Sequence, residues 1–330
     1  RDRQVCLVLI EQQIVSVSEE QRAALENGSV SAYQFMRKLI ENLQITPAQL
    51  ALDPFSGSCV VVDPNTGEVL ALVSYPSYDN NKLANGIDAE YYASLQNDLS
   101  LPLWDYATQM RSAPGSTYKM VVASAALMDG IINLSSTVDC VGTFSRYSDT
   151  LMRCWNRSGH GNLNVTEAIT HSCNYFFYEM GYRFGQSGDA ESGTDFNLAN
   201  ERMREYADLY GLTEKSGIEI EESAPQFSLV NPSQSAIGQG EHNYTTVGLA
   251  RYVATVANSG TCYNLSLLDK VTDRSGNLLK DFSPEVRNTI EMPTSYWDAI
   301  HRGMRGVVEA KKYFVDSGII AAGKTGTAEE

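Results

Sequence analysis

The chain opens with apolar positions at helical spacing. Glu19–Leu25 and Ala32–Leu43 both follow that period and Gly28 separates them, so residues 1–52 read as a helical lead-in. The period then shortens. Gly57–Val62 is a β-type run, Asp63-Pro64-Asn65-Thr66-Gly67 is turn chemistry, and Glu68–Val73 supplies a second strand, which predicts a hairpin. Pro114-Gly115 breaks the chain, and Ser116–Met128 is apolar or small on nearly every side, as expected of a helix buried in a core. Asn164–Ile169 and Tyr175–Tyr182 read as helices around a polar interlude, His171–Asn174. Glu201–Tyr210 is amphipathic and stops at Gly211, and Thr246–Asn258 is a helix ending before Gly260. Cys262–Lys270 and Asn277–Phe282 flank Asp273-Arg274-Ser275-Gly276 as a second hairpin, and Gly318–Thr327 reads as a terminal strand. Hairpins, many helices and a last strand predict an α+β fold, an antiparallel sheet flanked by helices.

Composition narrows the function classes. The chain has 330 residues, 43% of them hydrophobic, which is enough for one or two domains with a substantial core. Its formal charge is −15 and it has no dense Lys/Arg cluster, so a nucleic-acid partner is not expected. The longest apolar runs, such as Val5–Ile10 and Ser58–Val62, fall far short of the roughly 18 residues that a membrane span needs. The start at Arg1 reads as a fragment boundary that leaves any upstream anchor open. Six cysteines are too few for a disulfide scaffold.

Three short patterns carry chemistry. Ser116-Thr117-Tyr118-Lys119 sets a hydroxyl and an amine on one face of a helix start, and no other Ser in the chain has Lys three places later. A serine hydroxyl needs an adjacent base to become a nucleophile, and a lysine serves when burial lowers its pKa. Taken alone, the same residues fit an ordinary helix cap with a solvated lysine. Lys324-Thr325-Gly326-Thr327 places a cation and two hydroxyls around a glycine on a strand, a pattern that suits close approach to a carboxylate ligand and equally a polar strand end. Ser172-Cys173-Asn174 lies in the polar interlude; Ser275-Gly276-Asn277 matches the same weak pattern, but turn geometry accounts for it.

Ser-x-x-Lys, Ser-x-Asn and Lys-Thr-Gly in that order resemble the signature of the penicillin-recognising serine enzymes. The hairpin Val61–Asp79, the segment Ala113–Lys119 and the turn Ile237-Gly238-Gln239-Gly240 are similar to class B penicillin-binding proteins, and Gly159-His160-Gly161 to Tyr178 resembles the elongation-type subgroup. The resemblance runs over roughly residues 45–330. It implies a penicillin-binding transpeptidase, serine β-lactamase-like fold, with a transpeptidase domain over 53–330 cut short after the Lys-Thr-Gly strand, its C-terminal strands missing.

It also implies roles. Ser116 is the nucleophile, Lys119 the base, and Ser172 and Asn174 complete the proton path and hold the substrate amide. Lys324, Thr325 and Thr327 bind the terminal carboxylate beside Gly326, and the N–H groups of Ser116 and Thr327 form the oxyanion hole. The activity implied is a β-lactam-inhibited peptidoglycan D,D-transpeptidase that needs no cofactor. It would work outside the bacterial cell membrane on stem peptides, with a glycosyltransferase and other cell-wall proteins as partners. Two stretches depart from the family pattern, Asp105-Tyr106-Ala107 and Thr245-Thr246-Val247-Gly248, so loop geometry near the cleft is expected to differ.

Asp139, Cys154, His160 and Cys173 are zinc-type ligands close in sequence, and elongation-type relatives carry a structural metal in this region, which together suggest a Zn²⁺ site. Cys140 adjoins Asp139, so either supplies the fourth ligand; a Cys140–Cys154 disulfide and plain burial of the cysteines are the competing readings. The functional rivals are a β-lactam sensor domain, an inactive cell-wall scaffold and, further behind, a β-lactamase, because no Glu-x-x-Leu-Asn pattern stands between Ser172 and Lys324.

Overall fold

The structure is a computed structural model that describes residues 2–12, 14–42, 44–45, 56–186 and 193–328. The expected end of the helical lead-in, over 46–52, and the last two residues lie outside the described residues. The chain forms two compact units, one from Arg1–Ser56 and Tyr75–Leu103, the other from Gly57–Ser74 and Trp104–Glu330.

In the first unit, α1 (Asp2–Glu11), α2 (Glu19–Asn27) and α3 (Ala32–Glu41) bury Cys6, Leu25, Phe35 and Leu39 among themselves. Ser18 with Gln21 and Ser31 with Gln34 form capping boxes, so the first free N–H groups of α2 and α3 are met by side chains. A fourth helix, α4 (Ala89–Gln96), is capped by Asp88.

The second unit carries the candidate chemistry. Helix α5 (Lys119–Met128) is buried from Lys119 to Leu127, as its all-round apolar sequence requires. Around it pack α6 (Val165–Thr170), α7 (Asn174–Phe184), α8 (Phe196–Leu209) and α11 (Thr294–Glu309). The short α9 (Pro232–Ser235) and α10 (Thr246–Ala257) complete the helical layer before α11, and α12 (Lys312–Ser317) follows it. Thr245 still caps α10, its hydroxyl accepting from Gly248 N–H at 3.0 Å, although the segment departs from the family pattern.

The fold is α+β as expected, and among the described residues the strands pair as two-stranded ribbons rather than as one sheet. β1 (Gly57–Val62) pairs with β2 (Val69–Tyr75), which is the predicted first hairpin. β3 (Arg111–Ser112) pairs with β8 (Tyr244–Thr245), β4 (Val138–Cys140) with β7 (Gly161–Leu163), and β5 (Thr143–Phe144) with β6 (Met152–Arg153), all antiparallel. The second predicted hairpin is shorter than its sequence suggests. β10 (Lys270–Thr272) pairs with β11 (Leu278–Asp281), while Cys262 lies in β9 (Thr261–Tyr263), whose partner is β12 (Val286–Thr289). The predicted strand Gly318–Thr327 is not a ladder strand, because no described strand lies beside it. Its backbone instead reaches α11, through Gly323 N–H to Met304 O at 3.1 Å and Arg305 to Ala321 O at 2.8 Å.

Candidate active site

Pro114 leads into a single 3₁₀ turn, Gly115–Tyr118, and α5 starts on Lys119. The turn holds Ser116 half-buried at the edge of a cavity of about 480 Å³. Thr117 Oγ1 donates to Pro114 O at 2.7 Å and Tyr252 OH donates to Thr117 O at 2.7 Å, which fixes the turn from both sides. The same cavity is lined by Ser172, Asn174, Lys324, Thr325 and Thr327, so all three motifs meet in one cleft.

Lys119 is fully buried, and its ammonium finds three acceptors: Asn174 Oδ1 at 2.7 Å, Ser172 O at 2.9 Å and Ser172 Oγ at 3.3 Å. No hydrogen bond joins Lys119 to Ser116 among the described residues; helix spacing brings the pair together, but the amine turns toward the interlude. Lys324 Nζ donates to Ser172 Oγ at 2.8 Å and to Thr325 O at 3.0 Å. Ser172 Oγ therefore sits between two lysines. Burial, and then the charge of Lys324, lowers the Lys119 pKa to about 7. Burial, and then Lys311, lowers Lys324 to about 8.

The interlude that carries Ser172 is tightly determined. Ser172 adopts φ +50°, a left-handed conformation that non-glycine residues seldom take. Its N–H reaches Ile169 O at 3.1 Å, and its carbonyl accepts from Lys119 and from Trp155 Nε1 at 3.2 Å. Cys173 follows as the N-cap of α7, with its sulfur accepting from Phe176 N–H, so Asn174 enters the helix aimed at Lys119.

Two glycines permit the close approach of chain segments here. A Cβ on Gly326 would lie 2.7 Å from Pro114 O, and one on Gly115, itself at φ +52°, would lie 2.3 Å from Thr327 O. The Lys-Thr-Gly segment thus lies directly on the turn that carries Ser116. Thr325 and Thr327 face the cavity while Gly326 faces Pro114, the alternation of extended backbone without a ladder.

The metal expectation changes in one ligand. Cys140, Cys154, His160 and Cys173 bring one donor atom each within 4.8 Å of one another. Asp139 does not join them. Strand β4 alternates, with Val138 and Cys140 turned inward and Asp139 exposed, and sequence alone left that phase undecided. The separations are 4.0 Å between Cys154 and Cys173 sulfurs, 3.6 Å from Cys140 to His160 Nδ1, and 3.5 Å from Cys154 to His160 Nδ1. A tetrahedral zinc with bonds near 2.3 Å sets its donors about 3.8 Å apart, so three thiols and one imidazole fit that ion in number, type and spacing. All six cysteines are free, so there is no Cys140–Cys154 disulfide. A hydrogen bond from Cys173 lowers the pKa of Cys154, and the same bond raises that of Cys173.

Two residues to which the sequence assigned no role also line the cleft. Trp155 follows Cys154, stays largely exposed, and donates from Nε1 to the carbonyls of His171 and Ser172. Gln239 lines the cavity and donates from Nε2 to Thr327 O at 3.0 Å. The only sequence signals for these two were a tryptophan beside a candidate ligand and the Ile237–Gly240 turn.

Comparison with known proteins gives a consistent picture. A family model described as the penicillin binding protein transpeptidase domain matches residues 57–330. Peptidoglycan D,D-transpeptidase MrdA of Haemophilus influenzae is 32% identical over 301 residues, covering 84% of this chain and 44% of that protein. MrdA of Escherichia coli K12 is 31% identical over 296 residues, covering 82% and 44%. This chain therefore spans less than half the length of these relatives. Pseudomonas aeruginosa PBP2 in complex with WCK 5153 superposes with a TM-score of 0.71 at 28% identity, over 87% of this chain and 66% of that one. A chain from a structure of a peptidoglycan synthase complex that coordinates polymerization and crosslinking gives 0.72 at 29% identity, over 83% and 46%.

Proposed function

The chain belongs to the penicillin-binding protein transpeptidase family, and on that premise we propose that it is a MrdA-type peptidoglycan D,D-transpeptidase domain with Ser116 as its nucleophile. One observation carries this reading. A buried lysine of lowered pKa, a serine and a second lysine are linked by hydrogen bonds beside a half-buried Ser116 at the mouth of a cleft.

The steps follow from those groups. Ser116 Oγ attacks the carbonyl of the penultimate D-Ala, and neutral Lys119 takes the hydroxyl proton. The developing oxyanion is met by the N–H groups of Ser116 and Thr327, a role supported by the close approach of the Thr327 backbone to Gly115. The scissile C–N bond breaks, D-Ala leaves, and its amine receives a proton from Lys119 through Ser172 Oγ. An acceptor amine then attacks the acyl-serine, gives its proton back along the same path, and frees Ser116 with a new peptide bond. Thr325, Thr327 and Lys324 hold the terminal carboxylate. β-Lactams enter the first half of this cycle and stay as the acyl-enzyme. No Asp or Glu is among the described residues lining the cavity, which weighs against a carboxylate-assisted β-lactamase.

Zinc on Cys140, Cys154, His160 and Cys173 would supply a structural cross-link and no chemical step. Cys173 lies between Ser172 and Asn174, so the cluster would hold both in place. The peptidoglycan synthase complex among the similar structures, which coordinates polymerization and crosslinking, supports a polymerising glycosyltransferase as partner, and the similarity to peptidoglycan D,D-transpeptidases supports work outside the membrane. Among the described residues no helix is long and apolar enough to cross a membrane.

Incubation with a fluorescent penicillin, followed by mass mapping of the labelled peptide, tests the proposal. A label on Ser116 that is lost in Ser116→Ala supports it, and a label on another serine overturns it.

A further inference from the structure

One turn touches both segments that carry the proposed oxyanion-hole donors. Gly238 O accepts from Gly115 N–H at 2.9 Å, immediately before Ser116. Its neighbour Gln239 donates from Nε2 to Thr327 O at 3.0 Å. Gly238 has φ +75°, and a Cβ there would lie 2.0 Å from Gly115 O, so the turn presses on the nucleophile loop with backbone alone.

The Thr327 end of its segment has few other anchors. No described strand pairs with it, and its backbone bonds to α11 are made at Ala321 and Gly323, ahead of the motif. Lys324 anchors through its side chain to Ser172. Beyond that point, among the described residues, the backbone is held at Thr325 O by Lys324 Nζ, by the contacts of Gly326 on Pro114 and of Thr327 on Gly115, and by the Gln239 amide, the one side chain from outside the segment that bonds to Thr327 O.

We propose that Gln239 is a positioning residue, whose Nε2–H···O bond fixes the Thr327 backbone against Gly115 so that the two oxyanion donors share one register. The inference rests on the acyl-transfer reading above. It concerns how the hole is held, and the glutamine itself touches no reacting atom.

The test uses the whole chain with Gln239→Met, which keeps length without a donor, and Gln239→Glu, which keeps shape but turns a carboxylate toward the Thr327 carbonyl. Benzylpenicillin acylation is resolved into a pre-covalent dissociation constant and an acylation rate. Affinity is also measured for an arylboronic acid, whose serine adduct places an oxygen in the hole. Losing one oxyanion donor costs about 10² to 10³ in rate, so mispositioning one should slow acylation about 10- to 100-fold, more in Gln239→Glu. Boronate affinity should fall by a similar factor while the pre-covalent constant stays within about twofold. Acylation within twofold of the parent in Gln239→Met overturns the proposal. So does slow acylation with undiminished boronate affinity, or a loss in both variants that follows melting temperature alone. If penicillin labels a serine other than Ser116 in the parent, the acyl-transfer assignment fails instead, which is a separate result.

Discussion

Lys119 Nζ lies 2.7 Å from Asn174 Oδ1, tying the first residue of α5 to the first residue of α7. With Ser172 O and Ser172 Oγ as the other acceptors, the three protons of a lysine ammonium are all matched. That makes the resting contact set one of the charged form. On losing a proton the amine gains a lone pair, and the bond to Ser172 Oγ, at 3.3 Å the longest, is the one that can reverse. Catalytic hydrogen bonds are often loose before substrate arrives, so the absence of a resting Ser116–Lys119 bond among the described residues is compatible with the base role proposed for Lys119.

Lys119→Arg should therefore hold the interlude yet fail as a base, since a guanidinium does not give up its proton. Acylation by benzylpenicillin should drop by about 10² to 10⁴, the range for loss of a general base, with the fold retained by circular dichroism. Acylation at the parental rate would remove Lys119 from the mechanism.

The two lowered pKa values set a pH profile. Lys119, at about 7, is neutral only above that point, so acylation should rise as pH passes through about 7. Lys324 keeps its charge up to about 8, so binding of carboxylate-bearing ligands should weaken above it. Burial is the larger cause for Lys119 and the Lys324 charge the second. In Lys324→Gln that second cause is gone, Lys119 holds its proton more firmly, and the rising limb should move to higher pH. Stopped-flow acylation rates across the range decide it, and an unmoved limb would show that the two lysines are not coupled.

Thr327→Val keeps the shape of the side chain and removes the hydroxyl that faces the cavity. A hydrogen bond to a charged group contributes about 1.5–3 kcal/mol, so acylation by carboxylate-bearing β-lactams should fall about 10- to 100-fold. Thermal unfolding should change little, because Gly326 and not Thr327 makes the contact with Pro114 O. Equal losses in stability and acylation would indicate packing.

What was legible in the sequence follows from what covalent spacing can fix. Ser116 and Lys119 are three residues apart on one helix start, and Thr325 and Thr327 alternate about Gly326, so their placement needed no knowledge of partners. Asp139 against Cys140 was not legible, since adjacent strand residues differ only in which one faces inward, and pairing with β7 settles that. The terminal strand failed for a related reason. Extended sequence becomes a ladder strand only beside another, and Gly323 and Ala321 bond to α11 instead. Cys262 was assigned to the wrong hairpin because β9 finds its partner in β12 across the intervening ribbon. Trp155 and Gln239 act through space on the carbonyls of Ser172 and Thr327, and nothing in their own neighbourhood announces that.

The last prediction separates the two fourth-ligand readings. If Cys140 completes the site, the chain purified without chelator should hold about one zinc per molecule, four ligands being a closed structural site. Asp139→Asn should retain it, because that side chain points away from the cluster, whereas Cys140→Ser and Cys173→Ser should lose most of it. The consequence should reach the active site through the chain. Cys173 sits between the serine held by both lysines and the asparagine held by Lys119, and Trp155, next to ligand Cys154, donates to Ser172 O. Releasing the metal loosens both ends of that connection together. Zinc-depleted protein should thus melt at lower temperature and acylate more slowly, and both should recover on adding zinc but not magnesium, which prefers oxygen ligands. The controls matter, since a thiol cluster can also bind zinc without using it. Zinc content well below one per chain, or a Cys140→Ser protein that loses the metal yet keeps its melting temperature and acylation rate, would show that the four side chains are only a buried polar cluster.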